Sequence, residues 1–455
     1  MNPAVKLIPL FLLSVLSFSL FATHNRAGEI SYRFTGSNTI TAVITTYTTA
    51  SAIAADRDSL AIYWGDGVTE TIARANGGGL VLSNNYKLNI YQGVHTYANT
   101  PASGFVVISM TDPNRNSDIV NMTNSVNVQF FIEDTIWFAD QGTNNNGPVL
   151  LYPPIDYAYV GDTFFHNPAA YDIEADSLTF ELAIPMQAQG LSVPGYIDPS
   201  DLPVFGSPND ILSIDRLTGE IIWATPQMTG IYNIAILIHE YRYGVLMSTM
   251  TRDMLIEVLN DTIGQSRLSG SFTDTVIAPG TALSLPYSGD ADAAYIDSLS
   301  VFSGILDIPA GPAFFNCTNS APSVSGSLTW TPAHNRYKQR ETRIVAVRSL
   351  QQSTNPRTNI HAFRVTVVDT SNTTTAVIGI ASQQDIIVYP VPATDKLYIK
   401  SALPASGISV IDMIGRQWDA KISEEEIDIS NLPSGIYLLR WQNEGKTFIK
   451  RFIKE

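Results

Sequence analysis

The sequence predicts an all-β protein made of several β-sandwiches in tandem. Apolar and polar residues alternate with a period of two in many short segments, among them 30–34, 40–44 and 232–238. Charged residues make up only 15% of the 455 positions, and 30 Gly and 25 Pro punctuate segments rich in Thr, Ser, Val, Ile and Tyr. That composition suits strands and turns better than helices, and the length allows several domains.

Internal repetition divides the chain into modules. Segment 219–226 reads Gly-Glu-Ile-Ile-Trp-Ala-Thr-Pro, and segment 326–332 reads Gly-Ser-Leu-Thr-Trp-Thr-Pro. In both segments a turn glycine precedes a strand with two inward residues, and a proline ends the strand. An Asp-Ser-Leu step also recurs, at 58–60, 176–178 and 297–299. We therefore expect sandwich modules at 23–145, 146–262 and 263–372, with a separate C-terminal module at 384–455.

The first 22 residues have the pattern of a signal peptide. Lys6 precedes an apolar run over 7–21, which is short for a membrane span and typical of a signal-peptide core. Ala22 supplies a small residue for cleavage, so we expect 1–22 to be removed and the mature chain to begin at Thr23. No other stretch reaches the roughly eighteen apolar residues that a span needs. The sequence thus predicts an exported protein without a transmembrane helix.

The charge of the chain restricts its partners. The formal net charge is −15, and nearly all of the acidic excess lies before residue 384. Coulomb repulsion from an acidic body disfavours nucleic acids and anionic membrane surfaces. The same excess permits divalent cations, or it serves solubility alone.

Two short motifs characterise the first module. Trp64 opens a Trp-Gly-Asp-Gly run, and His95 and Tyr97 form a His-x-Tyr pair further on. Gly-Asp-Gly predicts a tight turn in which Asp66 bonds its own backbone, with Trp64 as a core anchor. We expect His95 to be a packed strand residue, since no second His lies near it in sequence. These landmarks resemble those of the PKD-type sandwich.

An acidic run in the second module is the main candidate for a ligand site. Asp172, Glu174 and Asp176 follow one another at every second position. Three such carboxylates in a loop can converge on Ca²⁺, a hard cation that takes six to eight oxygen ligands. The alternative is a solvated acidic turn before a strand. Asp290 and Asp292 form a fainter version of the same pattern.

The body of the chain resembles known surface modules. The segment around the acidic run is similar to cadherin-like and Ig-like repeats, and the third module is a weaker Ig-like match. The mature start, Thr-His-Asn-Arg-Ala-Gly-Glu-Ile-Ser-Tyr over 23–32, looks like that of gliding-motility-associated surface proteins of Bacteroidetes. That resemblance covers roughly 23–370. This chain lacks the cysteines that usually follow in the group, so no disulfide can be carried over.

The C-terminal module resembles the type A sorting domain of type IX secretion substrates. Four segments occur in the family's order at the end of the chain: 388–399, 408–416, 427–439 and 448–454. Val391 departs from the usual Asn. The alternation of Leu397 with Ile399, and of Phe448 with Phe452, predicts a small sandwich of about seven strands. The resemblance implies that the type IX machinery is a partner, that the tag is cleaved, and that the cargo is anchored at the outer-membrane surface.

Catalytic signatures are missing from the sequence. Gly-x-Ser-x-Gly, His-Glu-x-x-His, the P-loop and Gly-x-Gly-x-x-Gly do not occur. The one cysteine, Cys317, has no neighbouring base, and we expect it to be a small buried hydrophobe rather than a nucleophile. We therefore expect no enzyme activity and no firm cofactor, calcium being the one candidate.

The function that the sequence favours is a structural or adhesive surface protein that contacts a protein or glycan ligand. One alternative is a non-catalytic carbohydrate-binding module, which would carry an extended aromatic platform on one face. Tyr241 and Tyr243 are candidates for stacking on sugar rings. A secreted hydrolase is a further alternative, and it would need a deep cleft with two convergent acids.

Overall fold

The computed structural model describes most of the chain after residue 24. The described residues are 25–52, 56–82, 85–101, 103–138, 144–202, 210–260, 266–291, 298–309, 311–320, 323–333, 340–351, 356–368, 387–389, 393–400, 406–412, 417–418, 421–422, 426–433, 435–443 and 446–454. Within these ranges the regular elements are strands and three short 3₁₀ turns, at Ser125–Asn127, Pro199–Asp201 and Gly304–Leu306. The predicted all-β fold is confirmed. The predicted signal peptide at 1–22 lies outside the described residues.

No helix among the described residues has the length and apolar character that crossing a membrane requires. The chain divides into two compact units, Met1–Asp369 and Thr370–Glu455.

Eight strands form the N-terminal part of the first unit. They are β1 (Asn25–Phe34), β2 (Thr39–Thr49), β3 (Ser59–Tyr63), β4 (Thr69–Ala73), β5 (Leu80–Val81), β6 (Tyr86–Thr96), β7 (Phe105–Asp112) and β8 (Phe130–Trp137). The inward residues of these strands surround Trp64, which is fully buried, as the sequence predicts for a core anchor. These strands form two hydrogen-bonded groups, β4-β3-β7-β8 and β1-β2-β6-β5, and residues from both groups line this core.

Eleven strands follow. They are β9 (Val149–Leu150), β10 (Tyr157–Tyr159), β11 (Phe164–His166), β12 (Ala170–Tyr171), β13 (Ser177–Ala183), β14 (Met186–Ala188), β15 (Leu191–Ser192), β16 (Leu212–Ile214), β17 (Ile221–Trp223), β18 (Gly230–Arg242) and β19 (Val245–Leu259). Their core includes Ile221 and Trp223 of the repeated Gly-x-aliphatic-x-Trp motif, both buried as the motif predicts.

The first two predicted modules share one 12-stranded sheet. Strand β19 pairs with β1 and β8 of the first part and with β10 and β18 of the second. Strand β19 is 15 residues long. Strand β18 pairs along nearly its whole length, and β8, β1 and β10 pair with successive short segments of it. The predicted boundary between 145 and 146 therefore falls inside a region that one continuous sheet holds together.

The third predicted module is a sandwich of two four-stranded sheets. Its strands are β20 (Ser266–Gly270), β21 (Thr275–Ile277), β22 (Leu283–Ala291), β23 (Ser298–Phe302), β24 (Phe314–Ser320), β25 (Ser323–Trp330), β26 (Arg340–Gln351) and β27 (Arg357–Val368). The sheets β20-β22-β25-β24 and β21-β27-β26-β23 share a core that contains Leu328 and Trp330, the second copy of the repeated motif.

Cys317 is exposed, so the expectation of a buried hydrophobe was wrong. Its strand, β24, is an edge strand that pairs only with β25. An edge strand has a neighbour on one side only, so the period-two pattern does not guarantee burial there.

The second unit contains the tail strands, again in two four-stranded sheets. These are β28 (Ile387–Tyr389), β29 (Lys396–Lys400), β30 (Ser406–Asp412), β31 (Gln417–Trp418), β32 (Lys421–Ile422), β33 (Glu426–Asp428), β34 (Gly435–Asn443) and β35 (Lys446–Lys454). The sheets β28-β29-β33-β32 and β31-β30-β34-β35 share a core that includes Leu397, Leu439 and Phe452. The described residues thus form eight strands where the sequence suggested about seven.

Candidate functional site

The acidic run lies in the turn between β12 and β13, and the backbone folds back on itself there. Ala175 has a left-handed φ of 63°, which reverses the chain direction over four residues. Asp176 donates its backbone N–H to Asp172 Oδ1 at 2.7 Å. Both carboxyl groups are consequently turned into the protein, with Asp172 and Asp176 only 3% and 7% exposed.

A third carboxyl group, that of Glu240, meets them from β18. Strand β13 pairs with β18 so that Leu178 lies opposite Glu240, two residues after Asp176. One oxygen each of Asp172, Asp176 and Glu240 lies within 4.8 Å of the other two. Glu240 is fully buried. Among the described residues this is the one group of at least three His, Cys, Asp or Glu side chains with the spacing of metal ligands.

Glu174 lies outside this group of three carboxyls. Its Oε1 accepts a hydrogen bond from Asn146 Nδ2 instead. The structure therefore brings two of the three predicted acids together and replaces the third by Glu240. Sequence reasoning missed Glu240 because its place depends on the register of β13 and β18, whose paired residues run from Ser177↔Tyr241 to Ala183↔Ala235 and are far apart in the chain.

Positive charge at the three carboxyls comes mainly from Arg242. Its Nε and Nη2 donate to Asp176 Oδ2 at 2.9 and 2.6 Å. Asn145 joins the network, because its Nδ2 donates to Glu240 Oε2 at 2.7 Å and its Oδ1 accepts from Arg242 Nη2 at 2.7 Å. The remaining oxygens, Asp172 Oδ2 and Glu240 Oε1, are buried and receive no hydrogen bond from another group. The carboxyls of Asp172 and Glu240 are within hydrogen-bonding distance of each other.

Burial is the main cause that raises the pKa of Asp172 and of Glu240. The charges of Glu174 and Asp176 raise the pKa of Asp172 further, although the backbone N–H of Asp176 and a hydrogen bond with Glu240 oppose this. The charge of Asp172 raises the pKa of Glu240 further. Three carboxyl groups and one guanidinium leave an excess of negative charge in a region shielded from water. Such a site needs either a proton on one carboxyl or a cation between them.

The two aspartates of the site border a cavity of about 300 Å³ between the second and third modules. Arg343 of β26 lies across this cavity and donates to the carbonyl oxygen of Asp172. The guanidinium of Arg343 also lies 5.3 Å from the centre of the Tyr171 ring. Asp172 and Asp176 thus belong to the wall of the cavity, although both residues are nearly buried.

The tight turn of the first module has the predicted structural role. Asp66 Oδ1 accepts the backbone N–H of Val68 at 3.0 Å, and Asp66 Oδ2 lies 2.8 Å from His95 Nε2. The His95 ring stacks on Trp64 with 4.9 Å between ring centres. Burial alone would raise the pKa of Asp66, but the hydrogen bonds from His95 and Val68 outweigh it and lower that pKa. Both residues therefore act in packing and turn formation.

The structure describes one member of the fainter acidic pair. Asp290 is exposed and forms an ion pair with Arg267 at 2.9 Å. Asp292 lies outside the described residues.

The two candidate tyrosines differ in exposure. Tyr241 is half-buried on β18. Tyr243 is 90% exposed at the tip of the β18–β19 hairpin, where it has a left-handed φ of 52° and precedes Gly244 with a φ of 82°. A bulky residue in that conformation is uncommon and strained.

Comparison with known families concerns the tail. Residues 387–455 match the family model of the secretion system C-terminal sorting domain. The chain carries a type IX sorting tail. The sorting tail accounts for the small two-sheet sandwich of the second unit, and it implies an interaction with the type IX secretion machinery and export from the cell. No curated protein matched this chain.

Similar solved structures consist of repeated β-sandwich domains. A mouse clustered protocadherin fragment, EC1–3, is 10% identical, with 55% of this chain and 87% of that chain covered and a TM-score of 0.17. Fibronectin(III)-like modules of Clostridium thermocellum CbhA are 10% identical, with coverages of 50% and 98% and a TM-score of 0.18. At these TM-scores the likeness carries no argument. The strands and cores described above define the fold.

Proposed function

We propose that this secreted surface protein is a non-catalytic, adhesive or structural protein that stays anchored at the outer-membrane surface after type IX export. The observation that carries the proposal is the sorting tail at 387–455. The remaining sandwiches would be the cargo that the tail delivers. Loops at the ends of such sandwiches are the usual places for contact with protein or glycan ligands.

The arrangement of exposed aromatic side chains favours this role over that of a carbohydrate-binding module. Among the described residues, Tyr63, Phe105, Tyr243 and Phe314 are the exposed aromatic side chains. They lie on β3, on β7, at the β18–β19 hairpin and on β24. A platform for sugar rings would place several of them side by side on one face. These four lie instead on the paired strands β3 and β7, at the β18–β19 hairpin, and on β24 of a different sheet.

The geometry of the buried acids favours a non-catalytic role over a hydrolase. A glycosidase needs two carboxyl groups that both reach the substrate. Asp172 and Asp176 both border the cavity, but Asp176 Oδ2 is bound by Arg242 and Asp172 Oδ2 is buried. Glu240 is fully buried and is not part of the cavity wall. The proposal therefore assigns these acids to the architecture of the protein.

Deletion of 384–455 in the native cell tests the export route. We expect the shortened chain to accumulate in the periplasm, because the tail is the part that the secretion machinery recognises. A matched control attaches 384–455 to an unrelated exported reporter, which should then reach the surface. Normal display of the shortened chain would contradict the assignment of the tail.

A binding screen tests the adhesive role. The mature chain is applied to arrays of glycans and of surface proteins from the same cells, and a reproducible ligand is expected. Turnover of a polysaccharide or peptide by the mature chain would contradict the non-catalytic role.

A further inference from the structure

We propose that Asp172, Asp176 and Glu240 bind one divalent cation, with calcium preferred, at the inner end of the cavity between the second and third modules. The inference goes beyond the adhesive role, which does not require an ion. It also differs from the i, i+2, i+4 pattern of the sequence, because Glu240 takes the place of Glu174.

The negative charge of the three carboxyl groups exceeds the positive charge of the guanidinium groups that face them. Arg242 is held by Asp176 and Asn145. In the third module, Arg343 donates a hydrogen bond to the backbone carbonyl oxygen of Asp172. Its Nη2 also donates to Glu341 Oε2 at 3.4 Å. Arg364, also at the cavity, forms its ion pair with Asp274 at 2.5 Å. Arg343 and Arg364 are thus engaged elsewhere. Arg242, which binds Asp176 and also attracts Glu240, is the one of these cations that faces the three carboxyls.

Two buried oxygen atoms of the site receive no hydrogen bond from another group, and the hydrogen bond between the Asp172 and Glu240 carboxyls themselves requires a proton on one of them. Asp172 Oδ2 and Glu240 Oε1 belong to residues that are 3% and 0% exposed. A buried acceptor without a partner costs about 1–3 kcal/mol, and more when it is charged. Coordination to one ion would satisfy both atoms at once.

The spacing and the type of the ligands fit calcium. Calcium binds oxygen at about 2.3–2.6 Å in flexible geometry, so oxygens this close together can share one ion, whereas magnesium requires near-ideal octahedral geometry. The three carboxylate oxygens lie within 4.8 Å of one another. All three are hard oxygen ligands, which disfavours zinc and copper. Asp172 and Asp176 border the cavity, which gives an ion a way in and leaves room for water ligands.

An ion at this position would connect three parts of the first unit. The acidic turn precedes β13, Glu240 lies on β18 near the hairpin that carries Tyr243, and the carbonyl of Asp172 binds Arg343 of the third module. Calcium would therefore stiffen both the hairpin and the contact between the second and third modules.

Calorimetric titration of the metal-free mature chain with calcium chloride tests the proposal, together with melting curves in calcium and in chelator. We expect one equivalent to bind and the melting temperature to rise. Glu240→Gln and Asp172→Asn should each weaken calcium binding roughly tenfold or more, since loss of an outer partner of a metal site already costs about 10–100-fold. Both variants keep the shape of the side chain, and circular dichroism checks that they fold.

Glu174→Gln is the matched control, because Glu174 belongs to the same acidic run but lies outside the group of three carboxyls. Its calcium affinity should fall clearly less than that of Glu240→Gln or Asp172→Asn, because Glu174 acts on Asp172 through its charge and not as a ligand. Absence of calcium binding by the wild-type chain would overturn the proposal. Loss of binding in Glu174→Gln with retention in Glu240→Gln would also overturn it, and magnesium binding as tight as calcium binding would overturn the calcium preference.

Discussion

Arg115 and Asp253 form a buried, bidentate ion pair that joins the first two predicted modules. The Nη1 and Nη2 atoms of Arg115 lie 3.0 and 2.7 Å from the two carboxylate oxygens of Asp253, and each side chain is 1% exposed. Arg115 Nη1 also donates to Asn233 Oδ1 at 2.9 Å, and its other nitrogens reach the carbonyl oxygens of Gln129 and Met186. Every nitrogen of this guanidinium therefore has a partner, which is what allows the charge to be buried.

Replacing Arg115 by Met should destabilise the first unit strongly. Asp253 would remain as a buried carboxylate without its counter-ion, which typically costs about 3–5 kcal/mol. Urea denaturation followed by tryptophan fluorescence measures the loss. Arg267→Met is the control, because the Arg267–Asp290 pair is more than half exposed and such pairs contribute about 0–1 kcal/mol. Equal losses in the two variants would contradict the importance of burial.

Replacing Gly304 by Ala should loosen the contact between the second and third modules. A Cβ atom at Gly304 would overlap the ring of Tyr171, and overpacking of this kind costs about 1–3 kcal/mol. A lower melting temperature and faster proteolysis are expected. Gly78→Ala is the control, since a Cβ there meets nothing within 4 Å, and it should leave both measurements unchanged.

Asp134 should make the stability of the first unit depend on pH. Burial raises the pKa of Asp134 well above its usual range, and the adjacent Glu133 raises it further, although Ser248 and the N–H of Thr135 bind the charged form. The folded state thus holds a proton that the unfolded chain releases above about pH 4. The proton on Asp134 therefore stabilises the folded state. This stabilisation is complete below about pH 4 and is lost as the pH rises towards the pKa that Asp134 has in the folded protein.

Unfolding free energies between pH 4.5 and 6.5, measured in chelator, check this dependence. The free energy of unfolding should decline as the pH rises. Asp134→Asn should reduce this decline by up to about 1.4 kcal/mol per pH unit, which is the value for one proton. Asp58→Asn is the control, because the Asp58 side chain is fully exposed. An unchanged slope in Asp134→Asn would show that Asp134 is ionised in the folded protein.

Replacing Tyr243 by Asn should raise stability and lower ligand binding. Asn adopts the left-handed conformation more readily than Tyr, so we expect a gain of about 0.5–1 kcal/mol. The substitution removes a 90% exposed aromatic ring from the surface proposed for ligand contact. Melting curves and the glycan and protein arrays measure the two effects, with Tyr63→Thr on β3 as the control. Binding that survives Tyr243→Asn but not Tyr63→Thr would move the ligand site to the first module.

The sequence alone determined those features whose information is local. The sorting tail could be recognised because its segments occur in order near one end of the chain, and the family match at 387–455 agrees. The turn at Asp66, the buried Trp64 and the strand motifs around Trp223 and Trp330 were also predicted, because a turn or a strand face depends on a few consecutive residues.

Only the tertiary structure decided which distant residues meet. The pairing of β13 with β18 brings Glu240 to Asp172 and Asp176, and the pairing of β19 with β1 and β8 merges two predicted modules into one sheet. Cys317 follows a strand pattern yet is exposed, because its strand lies at the edge of a sheet. The physical reason is that strand patterns indicate which residues face inward, whereas the choice of neighbouring strand and its register depend on contacts between residues far apart in the chain.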